Sequence, residues 1–192
     1  MTLKINFCGD SFCATKSKYA WCNILSKKLN AEIIGLGKSG SAHEHAIKSF
    51  NSKADITIFC WTDANRIYHE KYILTYNHVN KQLLKPNPLK IYQAIKVYWQ
   101  YVHDGSYLQE RQNRDLYWFD HEILSQYKGI IIHFYCHPHI KRYKFTNGYM
   151  HNKSLMKMFK TKDTDYIEYF NHFSIENNKN LAQLTFNLLQ KF

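Results

Sequence analysis

The sequence lacks the features that mark a membrane-spanning or secreted protein. No apolar run comes near the roughly 18 residues that a membrane-spanning helix requires. The first residues, Met1 to Lys4, do not form a signal peptide and lead directly into a strand-like run. The five cysteines are odd in number and irregular in spacing, which argues against a disulfide framework and fits a reducing compartment. We therefore expect a cytoplasmic protein without a membrane span.

Internal repeats and low-complexity linkers are absent as well. The chain has 192 residues, of which 45% are hydrophobic, so it is long enough to bury one sizeable core and short for two. The sequence therefore predicts a single domain over residues 1–192. It does not indicate the oligomeric state.

Acidic residues are scarce relative to basic ones, and the formal net charge is +11. Clustered Lys and Arg would favour nucleic acid, because binding would release counterions. Here the basic residues are spread along the chain, and the densest stretch, His139 to Lys144, is short. No nucleic-acid-binding motif accompanies it. We therefore expect no specific nucleic-acid partner, and the abundance of Lys, Asn, Ile and Tyr is typical of an AT-rich genome.

Strand and helix patterns alternate along the chain. Two of the apolar runs, 55–61 and 129–136, are almost unbroken, as expected for strands covered on both faces of a parallel sheet. Strands are predicted at Leu3–Cys8, Glu32–Leu36, Asp55–Trp61 and Gly129–Cys136. Helices are predicted at Lys18–Leu29, at Ala42–Phe50 and after the N-cap Ser174. The predicted fold class is α/β, a three-layer α/β/α sandwich with a mostly parallel central sheet.

Residues from about 68 to 127 break this alternation. They are rich in Tyr, His and Lys, and two helices are predicted there, near Leu89–Val102 and near Tyr107–Tyr127. A plain loop of this length between two buried strands would be unusual. We interpret the segment as a helical insertion that covers a sheet face or lines a cleft.

The first predicted strand ends in Gly9-Asp10-Ser11, and an amphipathic helix pattern follows. This order places Ser11 in a turn at the carboxyl edge of the sheet, near the positive end of a helix dipole. A serine in that place can act as a nucleophile when a base reaches it. His172 stands in a loop directly before the last helix, also at an edge of the sheet, and is the candidate base.

These segments resemble the SGNH hydrolases, also called the GDSL-like lipase or esterase family. Gly9-Asp10-Ser11 is similar to the family's first block, whose serine is the nucleophile. The stretch 19–29 resembles the family's first helix, and 36–42 resembles its second block, in which Gly40 offers an N–H to an oxyanion. His172 takes the position of the base. The resemblance implies an SGNH/flavodoxin-like fold.

Two positions depart from the family pattern. The third block usually places an Asn after strand three to complete the oxyanion hole, and this chain has Thr62 there, with Asn65 three residues later. The family's acid stands three residues before the histidine, where this chain has Tyr169. Asp165, Glu168 or a backbone carbonyl could orient His172 instead. The expected oxyanion groups are Ser11, Gly40 and Asn65.

The resemblance implies a serine hydrolase that cleaves acyl or acetyl esters through a Ser–His dyad or triad, with no metal or organic cofactor. The expected substrate is a small-molecule or glycan ester. The alternative is a non-catalytic binding or structural module with the SGNH fold, because the third block and the acid are atypical. Small size and AT-rich composition would suit a virus-encoded protein.

A zinc site at Cys136-His137-Pro138-His139 is the competing interpretation at the end of the last long strand. Cys and His this close in sequence can ligate zinc. A second ligand pair at suitable spacing is missing from the sequence. We therefore predict no metal site.

Overall fold

The centre of the computed structural model is a sheet of five parallel strands. The structure describes residues 2–138, 141–161 and 169–192. The strands lie in the order β2-β1-β3-β4-β5, and each neighbouring pair is parallel. Their bounds are β1 Leu3–Gly9, β2 Ala31–Gly35, β3 Ile56–Trp61, β4 Ile130–Tyr135 and β5 Tyr149–Met150.

Both faces of this sheet are buried, which explains the almost unbroken apolar runs of β3 and β4. Alternate residues of a strand point to opposite faces. Ile58 of β3 therefore packs into one core with Trp21 and Leu181, while its neighbour Phe59 packs into a second core with Leu116 and Phe119. The two cores lie on opposite sides of the sheet.

Helices cover each core. Helices α1 and α7 belong to the first core, and α2 and α5 to the second. The bounds are α1 Trp21–Leu29, α2 His43–Lys48, α3 Tyr76–Leu83, α4 Lys90–Tyr101, α5 Gly105–Trp118, α6 Leu155–Met158 and α7 Ile175–Leu189. This arrangement confirms the predicted three-layer α/β sandwich. In the described ranges, no helix combines the length and apolar character that crossing a bilayer requires.

The first helix begins later than the sequence pattern predicts. A 3-10 turn at Ser11–Cys13 follows β1, and α1 starts at Trp21 rather than at Lys18. The N–H of Trp21 donates to Asn178 Oδ1 of α7 at 2.9 Å. A contact between distant segments therefore satisfies the first N–H of α1, and Ser11 lies at the short 3-10 turn instead of at the positive end of α1.

The segment from 68 to 127 holds three α-helices where two are predicted. The extra helix, α3, is short, and the side chain of its N-cap Thr75 accepts a hydrogen bond from the N–H of His78. Helices α3 and α4 share a third, smaller apolar cluster that includes Val79 and Tyr92. Helix α5 ends at Trp118, and the chain continues through a π turn and a 3-10 turn to Gln126.

The strand order creates a crevice at the carboxyl edge of the sheet. From β1 the chain moves outward to β2 and then returns to the other side of β1 to form β3. In open α/β sheets, ligands bind where the connections diverge in this way. The loops that follow β1 and β3 carry Ser11 and Asn65 respectively.

Candidate active site

Ser11 lies where β1 ends and the chain turns away from the sheet. Asp10 caps the 3-10 turn, because its Oδ1 accepts the N–H of Phe12 at 3.0 Å. The turn closes with a hydrogen bond from the N–H of Cys13 to the carbonyl of Asp10. Ser11 is 8% exposed and lines a cavity. The local sequence therefore presents a nearly buried hydroxyl to an open space.

His172 lies in the tight turn of a β-hairpin, a feature that the sequence analysis missed. Strands β6 (Tyr169–Phe170) and β7 (Phe173–Ser174) are antiparallel, and only Asn171 and His172 separate them. Both turn residues have positive φ, 51° and 68°. This is the pattern of a type I′ turn, which suits Asn at the first position and is uncommon for His at the second. The surrounding structure therefore holds His172 in a sparsely populated conformation.

The hairpin brings His172 to Ser11. The distance from His172 Nε2 to Ser11 Oγ is 2.6 Å, although 161 positions separate the two residues. The imidazole lies against the ring of Phe12, with 4.7 Å between the ring centroids. The two candidate residues from opposite ends of the chain are therefore within hydrogen-bonding distance.

Asn178 of α7 holds the hairpin in place through side-chain hydrogen bonds. Its side-chain amide donates to the carbonyls of Phe170, Phe173 and Ser174 at 2.9 to 3.0 Å. Its Oδ1 accepts the N–H of Trp21 at the start of α1. Because Asn178 is fully buried, water does not compete for these bonds. One side chain thus fixes the hairpin to α1.

Gly40 lines the same cavity as Ser11 and His172. Its φ is +68°, and a Cβ at this position would lie 2.4 Å from Cγ2 of Ile73. A residue with a side chain would therefore be strained and would collide with Ile73. This explains why the loop after β2 requires glycine here.

The two candidates for the third oxyanion group differ in position. Asn65 lines the cavity, and its side-chain amide donates to Asp63 Oδ1 at 2.8 Å while its Oδ1 contacts His103 Nε2 at 3.1 Å. Thr62 is 2% exposed, and within the described ranges its hydroxyl has no hydrogen-bond partner and it does not line the cavity. Of the two, Asn65 is the one that faces the cavity.

An ion pair that sequence reasoning did not identify involves Asp10, the residue that precedes Ser11. Asp10 Oδ2 is 2.9 Å from Arg66 Nη1, and Asp10 is fully buried. Arg66 also donates to the carbonyl of Ser41 at 3.1 Å and contacts His137 Nε2 at 3.4 Å. The only sequence signal for this pair was an arginine in the loop after β3.

The cavity has a volume of about 1040 Å³. The turn after β1, the hairpin and the loop after β2 contribute to its lining. Helix α3 with its N-cap, the end of α4 and the residues that follow α4 contribute as well. The lining residues from this second group of elements are Thr75, Tyr76, Asn77, Trp99 and His103. The cavity is therefore large enough for an extended ligand.

The two carboxylates expected to orient His172 lie outside the residues that the structure describes. Asp165 and Glu168 lie outside the described residues, and Tyr169 is placed in β6. The orienting group of His172 therefore stays a prediction.

The described part of the segment considered for zinc, residues 136–138, does not have the environment of a metal site. Cys136 is buried, its Sγ lies 3.5 Å from Asp10 Oδ1, and burial raises the pKa of its thiol to about 12. A thiol must be deprotonated to ligate zinc, so this environment disfavours it. His137 lines the cavity and lies 3.1 Å from the sulfur of Met156, while His139 lies outside the described residues. All five cysteines are buried free thiols.

A different cluster, His43, Glu44 and Asp115, brings together three groups of the kind that bind metals. His43 Nε2 lies 2.8 Å from Asp115 Oδ2, and Arg111 binds Glu44 at 2.7 Å. The four side chains therefore pair with one another across α2 and α5. We interpret the cluster as a network of polar contacts, including the Arg111–Glu44 ion pair, that joins these helices.

Comparison with known proteins agrees with this architecture. No family model matches the chain, and no curated protein matches it. Among solved structures, the chain resembles a carbohydrate esterase whose active site is described as having divergent catalytic and non-catalytic binding functions. The TM-score is 0.52 at 12% identity, over 99% of this chain and 69% of that one. It also resembles a protein assigned to the lipolytic G-D-S-L family from Desulfitobacterium hafniense DCB-2, with TM-score 0.46 and 14% identity, over 97% and 99% of the two chains.

Identity at this level shows the fold alone. The protein has the α/β fold of the SGNH/GDSL-like hydrolases, as its sequence predicts. The hairpin of His172, the Asp10–Arg66 pair and the anchoring by Asn178 were missed. The hairpin had a signal, because Asn171-His172 is flanked by the aromatic residues Phe170 and Phe173.

Proposed function

We propose that the protein is a carboxylic-ester hydrolase in which Ser11 is the nucleophile and His172 is the general base. The observation that carries this proposal is the 2.6 Å distance between Ser11 Oγ and His172 Nε2 at the wall of a large cavity. A nucleophile needs a base within hydrogen-bonding reach, and this pair meets that requirement.

The reaction follows from these positions. His172 Nε2 takes the proton of Ser11 while Oγ attacks the ester carbonyl, and the oxyanion is stabilised by the N–H groups of Ser11 and Gly40. His172 then donates this proton to the alcohol as it departs, and the acyl group stays bound to Ser11 Oγ. Water, activated by His172, attacks the acyl-enzyme and releases the acid and free Ser11.

Asn65 is the proposed third donor to the oxyanion. Its amide donates to Asp63 in this structure, so it would have to exchange that partner for the oxyanion. Loss of one such donor typically costs about 10²–10³ in rate, so a partly engaged Asn65 predicts modest turnover.

His172 needs an acceptor at Nδ1 to keep the productive tautomer. We propose Asp165, Glu168 or a main-chain carbonyl in this role. Replacing each carboxylate by alanine separates these options. A loss as deep as that of Ser11→Ala at one position identifies a triad, and near-normal rates at both identify a dyad.

We propose a small-molecule or glycan ester as the substrate, in keeping with the fold shared with a carbohydrate esterase. Helices α3 and α4 contribute to the cavity wall, and we propose that residues 68–127 form an insertion in a single domain. The five free thiols support action in the cytoplasm, where cysteines stay reduced.

Hydrolysis of 4-nitrophenyl acetate tests the proposal. Ser11→Ala and His172→Gln should each lower the turnover number at least about 10³-fold. Ser52→Ala, at an exposed serine outside the cavity, should keep the wild-type rate. Equal rates of ester hydrolysis for wild type and Ser11→Ala would refute the proposal that Ser11 is the nucleophile of a hydrolase.

The second candidate is a non-catalytic binding module. The observation that favours it is the position of Thr62, which replaces the family's asparagine and is buried away from the described cavity lining. Absence of ester turnover together with saturable ligand binding in the cavity would support this candidate.

A further inference from the structure

We propose that the part of the cavity lined by the aromatic side chains of Tyr76 and Trp99 is a subsite for a pyranose ring of a glycan. This inference rests on the proposed function, because it names the substrate class of the same cavity. The subsite and the Ser11–His172 pair use different residues, so each can fail without the other.

The aromatic pair lines the same cavity as the candidate catalytic residues. Tyr76 is the first residue of α3, Trp99 lies near the end of α4, and both line the cavity that contains Ser11. Their ring centroids are 5.4 Å apart and the planes are tilted by 53°. Tyr76 is 65% exposed although it faces a cavity. A large aromatic surface left open in this way is available to a ligand.

Polar side chains line the same cavity as the two rings. Thr75 and Asn77 flank Tyr76 in the sequence, and His103 is a further polar residue of the lining. These groups offer hydroxyl, amide and imidazole atoms that can donate to or accept from ligand hydroxyls. A pyranose ring has a C–H face that packs on an aromatic ring and an edge of hydroxyls that needs such partners. The lining of the cavity supplies both.

Two other ligand classes fit the cavity less well. A long acyl chain would require an aliphatic wall, and among the described lining residues Met156 alone has an unbranched apolar chain. A phosphorylated ligand would require an excess of positive charge. The lining guanidinium of Arg66 is paired with buried Asp10, and Asp63 adds a carboxylate. The chemistry of the lining therefore favours an uncharged, hydroxyl-rich ligand.

Tryptophan fluorescence tests the subsite without ester chemistry. The full chain with Ser11→Ala is titrated with xylohexaose, cellohexaose and chitohexaose. Trp21 and Trp61 are fully buried, and Trp118 is exposed but does not line the described cavity. A saturable change in emission with one of these sugars should therefore come from Trp99. It should disappear in Trp99→Phe and persist in the matched control Trp118→Phe.

The affinity for the sugar should fall at least about tenfold in Tyr76→Ala, because the stacking surface is removed. Tyr101→Ala is the control, since Tyr101 is 81% exposed on the same α4 and lies outside the described cavity lining. Isothermal titration calorimetry measures both affinities, and circular dichroism verifies that the variants are folded.

The outcomes separate the two proposals. Sugar binding that depends on Tyr76 and Trp99 supports the subsite even if 4-nitrophenyl acetate is not hydrolysed. Ester turnover without saturable binding of any of the three sugars would overturn the subsite and leave the hydrolase standing. Sugar binding that is equally weakened by Tyr101→Ala would also overturn it, because the aromatic pair would then not be the site.

Discussion

Asp10 Oδ2 lies 2.9 Å from the Arg66 guanidinium, and the pair ties together the loops around the candidate nucleophile. The other carboxylate oxygen of Asp10 accepts the N–H of Phe12, which shapes the turn that carries Ser11. Arg66 also donates to the carbonyl of Ser41, which follows Gly40 in the chain. This charged pair thus sets the relative position of two loops of the site.

Removal of the Arg66 guanidinium should destabilise the fold, because it leaves the buried Asp10 carboxylate without its charge partner. We expect Arg66→Gln to lower the free energy of unfolding by about 3 kcal/mol. Urea denaturation measures the change, and Arg114→Gln, at an exposed arginine, is the control. The double variant Asp10→Asn/Arg66→Gln should recover part of the loss. Equal stability of Arg66→Gln and wild type would contradict the structural role of the pair.

Asn178 should be needed for catalysis although it does not touch the cavity. Asn178→Asp keeps the size of the side chain but replaces the N–H donors that hold three hairpin carbonyls. We expect a stability loss of about 1–3 kcal/mol from the unsatisfied groups. The hairpin would also loosen, so the turnover number for 4-nitrophenyl acetate should fall by roughly tenfold or more with little change in KM.

Asn180→Asp is the matched control, because it adds the same charge at an exposed position of α7. It should behave like wild type in both assays. If Asn178→Asp lost stability but kept its full turnover number, Asn178 would be structural only, without a role in positioning His172.

Gly40→Ala should lower both stability and activity. The left-handed φ costs a residue with a side chain about 1–2 kcal/mol, and the new Cβ would lie 2.4 Å from Ile73 Cγ2. Either the Ile73 side chain or the backbone at position 40 must shift to relieve the collision. A backbone shift moves the proposed oxyanion donor, so the turnover number should fall by roughly 10–10². Adding Ile73→Ala removes the collision and should restore part of the activity. No restoration would argue against the steric explanation.

Stability should decrease below neutral pH because of His133. Burial lowers the pKa of this histidine from 6.5 to about 4. The imidazole is held neutral, since Trp61 donates to its Nδ1 at 3.0 Å and its Nε2–H donates to the carbonyl of Asn147 at 2.9 Å. The unfolded chain therefore binds the extra proton between pH 6.5 and 4, so stability is complete above this window and is lost as the pH falls through it.

From pH 7.5 to pH 5.0 this single group should remove about 2 kcal/mol from the free energy of unfolding. Urea denaturation at several pH values measures the slope. His133→Phe should lower the stability at pH 7.5 and flatten the slope between pH 6.5 and 5. An unchanged slope in that variant would assign the acid sensitivity to other groups.

The four longer strands, β1 to β4, were predictable from the sequence because their burial produces a local apolar pattern, whereas the two-residue strands β5, β6 and β7 were not predicted. Strand β3 is buried on both sides, so Ile56–Trp61 is an almost continuous apolar run, interrupted by Thr57 alone. Ser174 likewise caps α7 with its own side chain, which accepts the N–H of Asn177, and this local interaction is visible in the residue order. Periodicity and turn chemistry act over a few residues, so they can be read along the chain.

The start of α1 is a feature that the local sequence pattern did not predict correctly. The apolar spacing from Lys18 onward is compatible with a helix, yet α1 begins at Trp21, where Asn178 from the other end of the chain accepts the first N–H. A residue 157 positions away leaves no trace in the local pattern. Such a boundary is therefore decided by tertiary contacts.

The sequence by itself determined the fold class and the residue types of the candidate site, because apolar periodicity and the motif around Ser11 are local properties. Only the tertiary structure decided how His172 reaches Ser11, through a hairpin turn with positive φ that Asn178 holds in place. It also decided that Tyr76 and Trp99 share a cavity with that pair. These relationships join distant segments through packing and buried hydrogen bonds, whose energies depend on the folded chain as a whole.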